Sequence, residues 1–283
     1  MLKAMYPYFL IAPALAFVML ILAYPVVSGF IGSLYTYDMF TLESEFAGLN
    51  NYLRLFTNPR FQNSLLRSVI LAGGTIGLGL FLSLSFALCL NSIRIFKAFF
   101  RGVSLVPWLV SGIAAAVMFR FLFSGNGGLI YVLYESLGFQ AVSWLGHSGR
   151  AMLVLILTNT WFLCPFAILV MFAGLQTIDP NYYDAAAIDG CYGLRTLWHV
   201  TVPLIKPMIG ISLIWLSFAS FSIFDIVLPT TGGGPGRATE VMAVAMYRVA
   251  FHALDYATGY AIMTVILVIN IAMSFVYLKL FRV

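Results

Sequence analysis

Residues 184–203 read Asp-Ala-Ala-Ala-Ile-Asp-Gly-Cys-Tyr-Gly-Leu-Arg-Thr-Leu-Trp-His-Val-Thr-Val-Pro. They form the most polar stretch between two long apolar segments, and their pattern is that of ordered structure. Just upstream, Asp179-Pro180 opens a helix. The Asp side chain can accept from free backbone N–H groups, and Pro suits the first turn, where its missing donor is not needed. Ala185, Ala186 and Ala187 carry the helix on through Asp189, because alanine is the strongest helix former. Gly190 can take the left-handed conformation that ends a helix. A second short amphipathic helix is expected from about Gly193 to Val200, and Pro203 starts the next apolar segment. A helix–turn–helix at the aqueous edge of a membrane protein is a surface offered to a partner.

The apolar segments decide the class. Of 283 residues, 62% are hydrophobic and 9% charged, against about 25% charged in soluble domains. The runs are long enough for helices and too long for barrel strands, so the chain reads as an all-α integral membrane protein. A net charge of +5 is modest; it fits a basic membrane-facing side and does not suggest a nucleic-acid partner. Cys89, Cys164 and Cys191 are scattered and read as small apolar fillers rather than a disulfide or metal framework. Lys3 precedes an apolar run that exceeds the roughly 7–15 residues of a signal peptide, so the run reads as an uncleaved first span.

Six spans are expected within a single transmembrane domain covering 1–283: about 7–32, 64–90, 101–123, 150–173, 204–229 and 259–281. The connectors differ in kind. Residues 33–63 form a long polar loop with turn signals at Gly48-Leu49-Asn50-Asn51 and Asn58-Pro59, and 91–100 is short and basic. Residues 124–149 hold Gly125-Asn126-Gly127-Gly128 and an amphipathic piece around Ile130–Leu137. Residues 174–203 contain the hairpin. Residues 230–258 begin with a Gly-rich run and continue as a helix. An even number of spans puts both termini on one side. Lys3, Arg94, Lys97, Arg101, Arg195, Lys206, Lys279 and Arg282 share that side, while Arg54, Arg60, Arg67, Arg150, Arg237 and Arg248 lie on the other. All the lysines are on the terminus side, so that side, with the hairpin, is expected in the cytoplasm.

The spans carry bundle signals. Gly73, Gly74, Gly77 and Gly79 let the second helix approach its neighbours closely. Pro13, Pro25, Pro107 and Pro165 bend or free carbonyls in others, which a bundle with a cavity tolerates. No catalytic constellation is visible: His147, His199 and His252 lie in separate loops. The Gly-rich run 231–236 lacks the Lys-Ser/Thr ending of a phosphate loop and reads as a turn. Arg120 and Asp225 sit near span ends, and no chain of carboxylates crosses the membrane, which disfavours proton- or sodium-coupled transport. At mid-depth the chain offers neutral polarity and aromatics. Asn159, Thr160, Trp161, Phe162, Pro165 and Phe166 lie on the fourth span; Ser217, Phe218, Ser220, Phe221, Ser222 and Phe224 lie on the fifth. Aromatic faces with hydroxyl and amide partners suit a sugar; ordinary helix packing with Ser and Asn bonding across helices would use the same residues.

The 184–203 stretch resembles the signature loop of binding-protein-dependent ABC importer permeases: Glu-Ala-Ala, three residues, Gly, nine residues, then Ile-x-Leu-Pro. Asp184-Ala185-Ala186, Gly190, Val200, Val202 and Pro203 fall at those places. Asp replaces Glu, and Val replaces Ile and Leu. Gly48-Leu49-Asn50-Asn51-Tyr52, Asn159-Thr160-Trp161 with Pro165-Phe166, and Thr231 through Pro235 with Thr239 are similar to the carbohydrate-uptake subfamily, in particular its first permease subunit of the maltose and glycerol-phosphate type.

The resemblance implies a type I importer-like bundle of six transmembrane helices with cytoplasmic coupling helices. It implies four kinds of partner besides the lipid bilayer: a second homologous permease, two ATPase subunits that hold ATP and Mg, and an extracytoplasmic solute-binding protein. The chain itself would hold no cofactor and would not be an enzyme. Asp184, Ala185, Ala186, Asp189, Gly190 and Pro203 would couple to the ATPase, with Asp184 pairing a basic residue there. Asn159, Phe162, Leu163, Phe166, Phe218, Ser220 and Ser222 would contact the sugar, unless the paired permease holds the whole site. The expected function is import of a sugar, an oligosaccharide or disaccharide, through the inner membrane by alternating access. The alternatives are glycerol phosphate, a polyol or another small solute on the same machinery, and, from another class, a membrane enzyme or ion channel, which would need a catalytic cluster or a charged pore ring.

Overall fold

Helices account for nearly every apolar run. The computed structural model describes residues 2–37, 44–93, 95–125, 127–140 and 142–281; Arg94, Asn126, Arg282 and the side chain of Lys3 lie outside the described residues. In chain order the elements are α1 (Leu2–Val18), a π-helical turn (Met19–Ala23), α2 (Tyr24–Gly32), β1 (Tyr35–Tyr37), β2 (Ser44–Phe46), α3 (Asn50–Thr57), α4 (Pro59–Ser92), α5 (Lys97–Leu109), α6 (Gly112–Leu122), α7 (Leu129–Ser136), α8 (Ser148–Gln176) and α9 (Pro180–Ile188). Then follow α10 (Leu194–Thr196), a π-helical turn (Leu197–Thr201), α11 (Val202–Leu204), α12 (Lys206–Phe221), α13 (Val227–Thr231), α14 (Met242–Tyr247), a third π-helical turn (Arg248–His252) and α15 (Tyr256–Phe281).

Among the described residues four stretches are long and apolar enough to cross a membrane: Leu10–Gly32, Pro59–Ser92, Ser148–Gln176 and Tyr256–Phe281. Counting each of two bent pairs as one broken span brings the number to six. Lys97–Leu109 and Gly112–Leu122 meet at 93°, and Leu194–Leu204 and Lys206–Phe221 at 75°. The sequence reading of 101–123 as one span therefore falls on two helices. Helix α5 continues through Pro107 to Leu109, Val110 is extended, and Ser111 restarts the helix by accepting from the Ala114 N–H at 3.2 Å. At the second bend Pro207 stands in the first turn of α12 and Ile205 leaves helical geometry. The fifth span, read as 204–229, ends early at Phe221, and α13 follows only after a non-helical segment.

The described residues gather into two compact units, 1–62 with 245–267 and 63–244 with 268–283. In the first, the segment read as a polar loop contains a two-stranded antiparallel ribbon, with Tyr35 opposite Phe46. Buried Asn51 donates to Ser33 O and Tyr35 O at 2.8 and 2.9 Å, and the Tyr52 hydroxyl meets Ser33 Oγ. The Asn-Asn-Tyr motif thus ties the end of α2 to the ribbon. Gly29 lets α2 pass close to Met263 of α15.

In the second unit α8 is the axis. Of its most apolar window 56% is buried, against 28% for α4. α8 packs on α5, α6, α12 and α13. Gly79 of α4 faces Leu216 and Cys164, and Gly74 faces Ile156, whereas Gly73 and Gly77 face open space. Only two of the four glycines therefore serve close approach.

Candidate transport site and helical hairpin

The 179–204 hairpin is built as its residues dictate. Asp179 Oδ1 accepts from Asn181 N at 2.9 Å and caps α9, and Pro180 occupies the first turn. Gly190 has φ +72°. Around it Cys191 N donates to Ala186 O at 2.8 Å and Gly190 N to Ala187 O at 3.1 Å, the two crossed bonds of a Schellman ending. The second arm is longer than expected. It runs from Leu194 to Leu204 through a π turn, so Pro203 lies within it rather than at the start of the next span. The arms are joined where the Tyr183 hydroxyl meets Thr201 Oγ1 at 3.4 Å, and Tyr192 OH closes the turn on Ala187 O at 2.8 Å.

Between the arms is a hollow of about 490 Å³, lined by Ala185, Ala186, Asp189 and Pro203 among others. The small side chains of Ala185 and Ala186 leave this space open. Asp184 is exposed, with no ion-pair partner among the described residues. One turn on, and so on the same face of α9, Ile188 is 87% exposed; on the other arm Leu194 and Trp198 are 75% and 63% exposed. Large exposed apolar side chains beside polar groups, here on both arms, are what an interaction surface presents. The sequence reading missed these three. Leu194 and Trp198 stand at i and i+4, a spacing that could have revealed them.

The mid-depth residues separate into groups. Asn159 is fully buried, and its amide donates to Thr75 Oγ1 on α4 and Ser220 Oγ on α12, both at 3.2 Å. Its Oδ1 is buried with no partner. Leu163 is buried against Ala167 and Leu216, with Phe162 at the edge of that cluster. Leu163 O accepts from Trp215 Nε1 at 3.4 Å. Phe166 lies between two tryptophans, 4.6 Å from the Trp215 ring and 5.9 Å from Trp108. This aromatic strip across α5, α8 and α12 went unread in the sequence, although Pro107-Trp108 at a helix break could have signalled it. Phe218 is half exposed. Ser222 stands apart and accepts from Asn270 Nδ2 at 3.3 Å. The structure therefore joins Asn159 with Ser220, and Leu163 and Phe166 with Trp215.

Two charged residues and the Gly-rich run are also accounted for. Arg120 Nη1 donates to Pro229 O at 3.1 Å, and the Asp225 carboxylate packs on Gly112. In 231–239, Thr231 Oγ1 meets Thr239 Oγ1 at 2.8 Å, Thr239 Oγ1 donates to Gly234 O, and Gly233 N donates to Thr231 Oγ1. These groups close a turn on themselves and leave no cradle of N–H groups for phosphate.

The second unit, with its broken and continuous spans, neutral and aromatic contacts between helices, and helical hairpin, has the features of a membrane transport subunit. The chain belongs to the family described as binding-protein-dependent transport system inner membrane component, which matches residues 75–282. It is 33% identical over 275 residues to the trehalose/maltose transport system permease protein MalF of Thermococcus litoralis, covering 97% of this chain and 93% of that one. It is 31% identical to the sulfoquinovosyl glycerol transport system permease protein SmoG of Agrobacterium fabrum, covering 96% and 89%. It shares the same 31% with the sn-glycerol-3-phosphate transport system permease protein UgpA of Yersinia pestis, covering 96% and 92%. Its fold is similar to a chain of a bacterial alginate ABC transporter crystallised with an alginate pentasaccharide-bound periplasmic protein. The TM-score is 0.83 at 18% identity, covering 99% of this chain and 95% of that chain. The chain is thus an ABC importer permease subunit of the inner membrane.

Proposed function

We propose that this permease acts as one six-span domain that imports a sugar, an oligosaccharide or disaccharide, by alternating access. ATP is hydrolysed with Mg on two separate ATPase subunits, and this chain holds no cofactor. It pairs with a second homologous permease and takes its solute from an extracytoplasmic solute-binding protein. The termini and the hairpin face the cytoplasm. The observation that carries this reading is the hairpin surface: Asp184 and Ile188 on one arm, Leu194 and Trp198 on the other, all exposed on a chain with no nucleotide motif of its own. An acid beside an apolar crest suits a basic-rimmed groove on an ATPase, and closure of two such subunits would drive the bundle between inward- and outward-facing states. Ala185, Ala186, Asp189, Gly190 and Pro203 shape the hollow and turn behind that crest.

The sugar reading is supported by the Asn159 Oδ1 acceptor, which has no partner among the described residues, and by the Trp108–Phe166–Trp215 strip. A sugar supplies hydroxyl donors and flat C–H faces for such a pair. Phe162, Leu163, Phe218, Ser220 and Ser222 complete the proposed contact region. Relatives named for trehalose/maltose and sulfoquinovosyl glycerol agree with it. A glycerol phosphate would need a cation beside these contacts, and the Arg120 guanidinium is bonded to Pro229 O instead, which favours the sugar. The test is Asp184→Lys in the assembled complex. Solute-stimulated ATP hydrolysis should fall at least ten-fold while the subunit still inserts, and full coupled transport by this variant would overturn the docking role.

A further inference from the structure

Two cations converge on one aromatic ring at the hairpin end of α8. Lys97 opens α5, and Arg101 follows one turn later. Lys97 Nζ stands 5.1 Å, and Arg101 Cζ 4.7 Å, from the centroid of the Phe172 ring. That ring is buried in the cluster formed by α4 and α8. Cation–π attraction holds each head group, but like charges on one ring repel, and neither has a carboxylate partner among the described residues. A bound anion would relieve both. The approach is apolar: Ile95 and Phe96, in the connector before α5, are each 74% exposed.

An apolar cavity begins one turn of α8 away from Phe172, and two residues beyond Arg101 on α5, at Val103. Ile168, one turn before Phe172, lines this groove, a cavity of about 500 Å³ walled by α4, α5, α6 and α8. Its α8 wall runs back to Leu157, about 16 Å of helix. That matches one leaflet, half of the roughly 30 Å hydrocarbon core. Ser104 and Thr160 bring the only hydroxyls in the wall. Leu157, Trp161, Cys164 and Ile168 recur at helical spacing on one stripe of α8, whereas Asn159, Leu163 and Phe166 occupy the opposite stripe. The groove is therefore separate from the proposed solute contacts.

We propose that Lys97, Arg101 and this groove form a binding site for an anionic phospholipid. Its phosphate lies between the two cations, and one acyl chain fills the cavity. The charges select an anionic over a zwitterionic head group, and the leaflet-deep apolar cavity selects a lipid over a free phosphate. Nothing in this depends on which solute is transported.

The test uses the purified, assembled transporter in phosphatidylcholine nanodiscs, with spin-labelled phosphatidylglycerol or phosphatidylcholine as the probe. Phosphatidylglycerol should be immobilised preferentially. Lys97→Gln and Arg101→Gln should each lower that preference about five-fold at low salt. Val103→Phe, which narrows the groove without touching the charges, should lower the immobilised fraction. The assembly of each variant is checked by its size and by basal ATP hydrolysis. Equal immobilisation of the two lipids by the unaltered protein, or a preference that survives in the double Gln variant, would overturn the proposal. So would loss of the preference on adding millimolar glycerol phosphate, which would assign the cations to a soluble anion. So would a photo-crosslink from residue 103 to the second permease in place of lipid, which would assign the groove to a protein helix.

Discussion

Asn159 serves packing and, in the proposed function, transport as well. Its amide hydrogens hold α4 and α12 to α8 through Thr75 and Ser220, each bond worth about 1 kcal/mol, while its buried Oδ1 stays free for a donor. A buried acceptor without a partner is costly, so its survival is a reason to look for a ligand. Asn159→Ala combined with Phe166→Ala is expected to raise the transport KM about ten-fold and leave ATP hydrolysis coupled. Unchanged transport kinetics would move the solute site into the second permease. Gly190 offers a second test. Its positive φ costs an L side chain about 1–2 kcal/mol, so Gly190→Val should weaken coupling while expression and insertion stay normal. Retained solute-stimulated ATP hydrolysis would show that the turn tolerates a side chain. The Asp179 cap and the Gly190 turn were legible from the sequence, because caps and turns are local chemistry, and Asn159 stood out as an amide at mid-depth. The partners of Asn159 were not legible, since Thr75 and Ser220 lie 84 and 61 residues away.

Helices were legible to the extent that their punctuation is local. Asp179-Pro180 and Gly190 bound α9 as their residue types require. The breaks at 110–111 and 205 were harder. Hydropathy runs through the first without a dip, so only the Ser111 cap marks its bend of 93°, whereas Lys206 and Pro207 mark the second, of 75°, beside the expected span start at 204. Small residues behaved in the same way. Four glycines on α4 pointed to close packing, yet only neighbours from α8 and α12 determine which of them is pressed. Gly79→Leu should therefore lower stability by about 1–3 kcal/mol, and Gly77→Leu, facing open space, should stay within about 0.5 kcal/mol. Thermal unfolding of the two variants in detergent checks the contrast, and equal losses would mean that assembly covers the Gly77 face. On the hairpin, Trp198→Ala should reduce ATPase binding by about ten-fold or more, as truncating a central aromatic anchor does. A pull-down of the ATPase subunits at matched permease levels measures it.

At the scale of the whole chain, charge and span number argue for one orientation, with the hairpin and both termini on the cytoplasmic side. A cysteine placed at Tyr192 in a background lacking native cysteines should react with a membrane-impermeant maleimide only in inverted vesicles. A cysteine at Ser143, in the α7–α8 connector, should react only in intact cells, and the reverse pattern would invert the topology. The same scale separates two apolar surfaces on α8. One stripe turns Leu163 and Phe166 toward Trp215 on α12, and the opposite stripe walls the groove that begins one turn from Phe172. A transporter so arranged can hold a lipid without obstructing its solute.

What the sequence by itself determined is the chemistry that neighbours along the chain impose: an all-α membrane protein, the capped and Gly-terminated helix of the hairpin, and its likeness to importer permeases. Those features rest on hydropathy over about 20 residues and on backbone caps within a turn, interactions that span few residues. Only the tertiary structure decided which glycines are pressed, that Asn159 binds Thr75 and Ser220, that Trp108 and Trp215 flank Phe166, and that Lys97 and Arg101 share the Phe172 ring. In a membrane span nearly every residue is apolar, so hydrophobicity no longer tells inside from outside. The facing of each helix is then set by steric fit and hydrogen bonding between distant segments.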